Sequence, residues 1–108
     1  MPVEFRKKQK KLVALLSGEI DHHAAETLRR QIDRRIEQDK PEILCLDFAG
    51  VTFMDSSGVG LVMGRYRKLC PFGGMLELRG MSGAVRRIMR LSGIGQIASV
   101  TEQRGGVK

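Results

Sequence analysis

The chain has 108 residues, which suffices for one domain with a real core and is too short for two. Hydrophobic residues make up 42% of the sequence and charged residues 29%, a balance typical of a soluble globular protein. No apolar run approaches the roughly 18 residues needed to cross a membrane, and the charged N-terminal stretch lacks the apolar segment of a signal peptide. We therefore expect a cytoplasmic protein.

The formal net charge of +7 is a feature shared with nucleic-acid-binding modules. The basic residues are dispersed over several predicted helices and a turn, however. One tyrosine and four phenylalanines are also too few for the aromatic surfaces that stack on single strands. Solvated helix faces, or attraction to an acidic partner protein, explain the charge with fewer assumptions. We expect no direct nucleic-acid contact and keep a basic nucleic-acid-binding module as an alternative.

The two cysteines, Cys45 and Cys70, fall within a predicted strand and a predicted helix, without C-x-x-C spacing. We expect both to be buried free thiols rather than a disulfide or a metal site. The two histidines, His22 and His23, are adjacent, which suits the surface of a helix better than a metal site that needs three or four ligands. We predict no metal and no cofactor.

The first third of the chain predicts two strands and a helix. Residues 3–6 alternate apolar and charged side chains, as in a short half-buried strand. After a basic turn, the nearly continuous apolar sequence Leu12–Ile20 predicts a central strand covered on both faces. Asp21 is a good N-cap for a helix that follows. Its apolar face is formed by residues three or four apart, namely Ala25, Leu28, Ile32 and Ile36.

The middle of the chain predicts a buried strand and a second helix. Pro41 ends the first helix, because the residue before proline disfavours helical backbone angles. Residues 43–48 form a hydrophobic run typical of a buried strand, and residues 59–70 follow as a periodic helix. Its predicted core stripe is Val59, Val62, Met63, Tyr66 and Leu69. Gly60 and Gly64 lie on one side of this helix and cost roughly 1 kcal/mol each against alanine, which indicates close approach of the backbone to the sheet or to a partner.

The last third predicts a strand, a helix and a short final strand. Leu76 and Leu78 alternate with charged residues in the strand. Ser82 caps the third helix, whose predicted inward residues are Val85, Ile88, Met89 and Leu91. Residues 97–100 predict the last strand, and residues 102–108, which lack periodicity, predict a frayed tail. These residues are too few, and too interrupted by two adjacent glycines, for a full helix, so we expect a C-terminal helix to be short or missing.

The order β-β-α-β-α-β-α-β predicts an α/β fold: one mixed β-sheet with helices packed on one face. We assign residues 1–101 to a single domain and residues 102–108 to a flexible C-terminal tail. Asp55, Ser56 and Ser57 fall where the second helix begins, and one of them is expected to cap its free N–H groups. For an isolated Asp-Ser-Ser-Gly segment, capping alone would be a sufficient explanation.

Three segments together resemble a known family. The first is Gly18–His23 followed by Ala25 and Leu28-Arg29, the second is Phe53–Gly60 continuing to Gly64–Tyr66, and the third combines Ser82, Val85–Arg87 and Leu91–Gly93. They resemble STAS-domain anti-sigma factor antagonists, and the pairing of Asp-His-His with Met-Asp-Ser-Ser-Gly is similar to the sporulation members. The resemblance spans about Gly18 to Gly95, most of the domain.

The resemblance implies a phosphorylation switch without catalysis by this chain. In that family the unphosphorylated antagonist binds an anti-sigma factor that is also a serine kinase, and thereby releases the sigma factor. The kinase phosphorylates the second serine of the motif, here Ser57, and a PP2C-type phosphatase resets the switch. We expect the protein to be a monomer when free.

The candidate partner-binding residues surround Ser57: Asp21, Asp55, Ser56, Gly58 and Gly60. Each also has a local structural explanation. Asp21 and Asp55 suit caps or turns, Ser56 suits a cap or a hydrogen-bonding neighbour, and the glycines suit close backbone approach. A phosphate at a helix N-terminus is tolerated by the free N–H groups and the helix dipole. We therefore expect phosphorylation to block docking without refolding the domain.

Two further alternatives remain open. A serine hydrolase would use Ser57 with His22 or His23 as the base and Asp21 or Asp55 as the orienting carboxylate, but the G-x-S-x-G elbow is missing. A STAS-domain regulator of another partner-switching pathway, such as a stress response, is the second. The positive charge and the short C-terminus, both unlike the family pattern, favour keeping it.

Overall fold

The computed structural model describes residues 3–96 and 98–101. These residues form one five-stranded sheet in the order β1-β2-β3-β4-β5, antiparallel between β1 and β2 and parallel elsewhere. The predicted order of strands and helices is confirmed. The predicted tail, residues 102–108, lies outside the described residues. The elements are β1 (Val3–Lys8), β2 (Lys11–Ile20), α1 (His22–Asp39), β3 (Ile43–Met54), α2 (Ser56–Leu69), β4 (Met75–Arg79), α3 (Gly83–Leu91) and β5 (Ser99–Thr101), with 3-10 turns at Cys70–Phe72 and Ile94–Gln96.

The hydrophobic core lies between one face of the sheet and the helices. Alternate residues of β2, β3 and β4 point into it, and α1 contributes Leu28, Ile32 and Ile36, as its periodicity predicts. Each strand-to-strand crossover carries a helix, which returns the chain to the same face of the sheet. Within the described part of the chain, no helix is both long and apolar enough to cross a bilayer.

The predicted burial of β2 on both faces is wrong. Leu12, Ala14 and Leu16 are buried, but the residues between them are only half-buried and belong to the sheet face that carries no helix. The strand buried on both faces is its neighbour β3, where Cys45 and Asp47 are covered as well. On that face an ion pair joins Lys11 Nζ to Glu77 Oε1 at 2.9 Å, and another joins Arg79 Nε to Asp47 Oδ2 at 2.8 Å. Long polar side chains therefore cover the middle of the open face.

The predicted burial is correct for one of the two cysteines and wrong for the other. Cys45 is free and buried, as predicted, and burial raises the pKa of its thiol to about 12. Cys70 is free but exposed, so its predicted burial is wrong. It directly follows the buried Leu69 where α2 ends, and one further residue turns the side chain by about 100° away from the core stripe.

Strand β3 is twice as long as predicted. It continues through Ala49 and Gly50 to Met54, because the second half of β2 pairs with it across two irregularities in register. The last pair of this ladder joins Ile20 to Met54. Consequently β2 and β3 end side by side, and the helices that follow them begin side by side.

Candidate functional site

Asp21 and Asp55 cap the two neighbouring helices in nearly the same way. Asp21 Oδ1 accepts a hydrogen bond from the backbone N–H of Ala24 at 2.9 Å, and Asp55 Oδ1 accepts one from the N–H of Ser57 at 2.8 Å. Both caps have extended backbone angles. The N–H of Asp55 also donates to the carbonyl of Ile20 at 3.3 Å, which holds the two helix starts together. The site is thus a pair of helix N-termini at one end of the sheet.

The capping assignment fixes the places of the two serines. Because Asp55 is the N-cap, Ser56 and Ser57 are the first two residues of α2, and the alternative of Ser56 as the cap is wrong. The side chain of Ser56 is exposed, whereas Ser57 is half-buried. The hydroxyl of Ser57 therefore lies in the first turn of a helix, where backbone N–H groups and the helix dipole favour a negative charge.

A groove between α1 and α2 starts at Ser57. It has a volume of about 190 Å³ and is lined by His22, Ala25, Glu26, Arg29, Ser57, Gly60 and Leu61. The α1 residues follow the spacing of one helical face, so they form one wall, and the α2 residues form the other. The sequence places His22 and Arg29 within the family-like segment, but reasoning from the sequence did not identify Arg29 or Glu26 as site residues.

The charged wall of the groove is organised by Glu26. Its Oε2 atom accepts hydrogen bonds from both Arg29 and Arg30, the latter at 3.3 Å. The hydrogen bond from Arg29 lowers the pKa of Glu26, with the charge of the same guanidinium adding to the effect. Only one of these two arginines, Arg29, lines the groove with Ser57.

The three glycines of α2 have different surroundings. A Cβ on Gly58 would lie 2.3 Å from Met54 Sδ, so the predicted close backbone approach is present there. A Cβ on Gly60 or Gly64 would meet nothing within 4 Å. Contact with the sheet therefore does not explain these two glycines, and approach by a partner stays a prediction.

Arg65 on α2 is joined to α1 by an ion pair with Asp33. Its side chain is only 6% exposed, and Arg65 Nε lies 2.8 Å from Asp33 Oδ1. Burial lowers the pKa of Arg65, and the opposing carboxylate of Asp33 offsets part of that shift. The position was recognisable in principle, because Arg65 is spaced four residues from the buried Leu61 and Leu69.

Phe53 extends the site onto the end of β3. Its side chain is 52% exposed. It precedes Met54 and Asp55, so an apolar surface adjoins the capped helix starts. Sequence reasoning placed Phe53 in the motif without assigning it a role.

No group of three or more potential metal ligands occurs among the residues that the structure describes. His22 and His23 lie in the first turn of α1, with ring centroids 6.3 Å apart. The site therefore consists of two capped helix starts, a serine hydroxyl, a small charged groove and an exposed phenylalanine.

Comparison with known proteins assigns the fold and the family. The STAS domain pattern matches residues 3–104. The "Anti-sigma F factor antagonist" of Lysinibacillus sphaericus is 42% identical over 84 residues, which are 78% of this chain and 72% of that protein. The unphosphorylated anti-sigma factor antagonist SpoIIAA superposes with a TM-score of 0.83 at 35% identity, covering 95% of this chain and 89% of that one. The phosphorylated Bacillus cell fate determinant SpoIIAA gives a TM-score of 0.76 at 34% identity, covering 95% and 92%. This chain therefore belongs to the STAS domain family and has anti-sigma factor antagonists among its homologues.

Proposed function

We propose that this protein is an anti-sigma factor antagonist controlled by phosphorylation of Ser57. In the unphosphorylated form it binds an anti-sigma factor that is also a serine kinase, and the sigma factor is released. The protein is a cytoplasmic binding module and a kinase substrate, with no catalysis of its own. The observation that carries the proposal is the place of Ser57, a half-buried hydroxyl in the first turn of α2 beside a second capped helix start.

The binding surface consists of the residues around that hydroxyl. Asp21 and Ser56 are exposed, and Asp55 is half-buried beside them. Gly60 is also exposed and carries no side chain, so a partner can approach the α2 backbone there. Gly58 is buried against Met54 and supports this surface from beneath. Phe53 supplies the apolar area that stable interfaces need at their centre.

Phosphorylation is a transfer from ATP. The Ser57 hydroxyl oxygen attacks the γ-phosphorus, an O–P bond forms, the bond from the γ-phosphorus to the β,γ-bridging oxygen breaks, and ADP leaves as the hydroxyl proton is released. The product carries about −1.5 to −2 charge at neutral pH. A helix N-terminus accepts that charge, so the fold survives. SpoIIAA has been solved in its unphosphorylated and phosphorylated forms, and this chain superposes on both structures.

The same charge weakens binding to the partner protein. Asp21 and Asp55 already place two carboxylates at the helix starts, so a partner that covers a phosphorylated Ser57 must desolvate a dense group of negative charges. An interfacial ion without a partner costs several kcal/mol, which is about a hundredfold or more in affinity. The bound kinase is thereby released, and a PP2C-type phosphatase restores the binding form.

Phosphate mapping tests the proposal. The protein is incubated with an anti-sigma factor serine kinase and ATP, and the product is mapped by mass spectrometry. We expect one phosphate, on Ser57, absent in Ser57→Ala and retained in the neighbouring Ser56→Ala. Loss of kinase affinity should follow modification of the wild type. Equal labelling of Ser57→Ala and wild type would contradict the proposal.

A further inference from the structure

The cationic side chain of Arg29 lines the groove between α1 and α2, and the family assignment does not explain why it lies there. Arg29 lies on the same groove wall as His22 and Glu26, opposite Ser57. The four α1 residues of this wall have the spacing of a single helix face, so their side chains share the space into which a group on Ser57 would extend. The structure thus places a guanidinium and an imidazole beside the proposed phosphorylation site.

Two residues in the walls of this groove carry little or no side chain. Ala25 contributes only a methyl group, and Gly60 contributes no side chain. A Cβ at Gly60 would meet no atom within 4 Å, so neighbouring side chains do not occupy the space above that glycine. A phosphoryl group on Ser57 therefore has room to turn toward α1.

We propose that this groove is an intramolecular binding site for the phosphoryl group of phosphorylated Ser57, with Arg29 as its main ligand and His22 as a second. The inference rests on the proposed phosphorylation of Ser57. In the unmodified protein Glu26 holds Arg29 and Arg30 together. A phosphoryl group carries about twice the charge of a carboxylate, and the guanidinium fork matches its oxygens, so Arg29 turns from Glu26 to the phosphate.

When Arg29 turns to the phosphate, Glu26 still has a cationic partner. Glu26 keeps Arg30, whose Nη1 atom is already 3.3 Å from Glu26 Oε2. The other charged groups around the phosphate are Asp21 and Asp55, whose carboxylates accept the backbone bonds of the two caps. Arg29 offsets part of their repulsion with the phosphate, and the site remains net negative. Phosphorylation then fills the groove and withdraws an exposed arginine from the α1 surface, so it changes the docking surface beyond adding charge.

The test is a phosphorus-31 NMR titration of protein with phosphoserine installed at position 57 during translation. The chain offers matched controls, because Arg29 and Arg30 both bind Glu26 but only Arg29 lines the groove. Free phosphoserine has a second pKa of about 6. We expect Arg29→Gln to raise the pKa of phosphoserine 57 by about 0.5 unit relative to wild type, and Arg30→Gln to leave it unchanged. Arg29→Lys should give an intermediate value, because the charge stays and the fork is lost.

The adjacent histidines give a second matched pair. His22→Gln should shift the phosphorus titration in the same direction as Arg29→Gln, and His23→Gln should not. Circular dichroism of each variant confirms that the fold is intact. Identical titrations of Arg29→Gln and Arg30→Gln would overturn the inference, whatever the kinase does. Conversely, failure of a kinase to label Ser57 would overturn the proposed function and would leave this titration unaffected.

Discussion

The side chain of Met54, the last residue of β3, lies directly against the backbone of Gly58 in the first turn of α2. A Cβ added to Gly58 would come within 2.3 Å of Met54 Sδ and 2.4 Å of Met54 Cγ. Met54 is almost fully buried, so its side chain has little room to move aside. This contact sets how closely the start of α2 approaches the end of the sheet, and with it the place of Ser57.

Gly58→Ala should therefore destabilise the protein even though alanine is the better helix former. Overpacking of a core typically costs 1–3 kcal/mol, whereas the gain in helix propensity is about 1 kcal/mol or less at a helix start. We expect a net loss of about 1–2 kcal/mol in the free energy of unfolding, measured by urea denaturation. An unchanged or higher stability would show that Met54 can repack at no cost.

Gly60→Ala and Gly64→Ala are the matched controls, with the opposite expected sign. At both positions a Cβ would meet nothing within 4 Å. Each substitution should stabilise the protein by up to about 1 kcal/mol, because alanine loses less backbone entropy in a helix. If a partner approaches the backbone at Gly60, the same substitution weakens binding to the anti-sigma factor, as measured by calorimetry. Unchanged affinity of both variants would argue that neither glycine lies in the interface.

Local signals were sufficient to predict the order of elements and the caps of α1 and α3, whereas the cap of α2 was narrowed only to Asp55, Ser56 or Ser57. The periodicity of Leu28, Ile32 and Ile36 predicted the buried face of α1, and Asp21 was recognisable as its cap. The end of β3 was not predictable in this way, because Ala49 and Gly50 look like a turn. They remain in the strand only because β2, distant in sequence, continues to pair alongside them.

Side-chain environments were harder to predict where a partner is remote in sequence. Arg65 occupies a buried position of α2 because Asp33 on α1 neutralises it, and no local pattern reveals that pairing. Val59, Met63 and Tyr66, which were expected in the core, are only partly buried. In α3 the predicted inward Leu91 is 81% exposed, since the helix ends there. The ion pair between Glu26 and Arg29 is local, but these two residues were missed as groove residues because the other wall lies on α2, which is remote in sequence.

The two thiols should react at very different rates. Burial raises the pKa of Cys45 to about 12, so at pH 8 it is a protonated thiol without access to reagent, whereas Cys70 is exposed. We expect a thiol-specific reagent to modify Cys70 alone in native protein and both cysteines in urea, as mass spectrometry can count. Rapid labelling of Cys45 in the native state would mean that the open sheet face does not protect it.

The same thiol gives a pH dependence with a defined sign. Because the folded-state pKa of Cys45 lies above its unfolded value of about 8.5, the contribution to stability is complete below about pH 8.5 and is lost as the pH rises toward 12. The difference in stability between wild type and Cys45→Ala should therefore shift against the wild type over that range. Parallel pH profiles of the two proteins would contradict this expectation.

Asp33→Ala should lower the free energy of unfolding more than Arg65→Met does. Asp33→Ala leaves the buried guanidinium of Arg65 without its carboxylate, and breaking a buried pair in this way costs about 3–5 kcal/mol. Arg65→Met removes the buried charge and fills similar space, while Asp33 keeps some exposure to water, so the loss should be no more than about 1 kcal/mol. Urea denaturation compares the two. Glu37→Ala is the control, because Glu37 pairs with Lys68 across the same two helices but is largely exposed, so its loss should matter little. Equal losses from Asp33→Ala and Arg65→Met would mean that the salt bridge itself, rather than the burial of an unpaired arginine, determines how strongly α1 is held against α2.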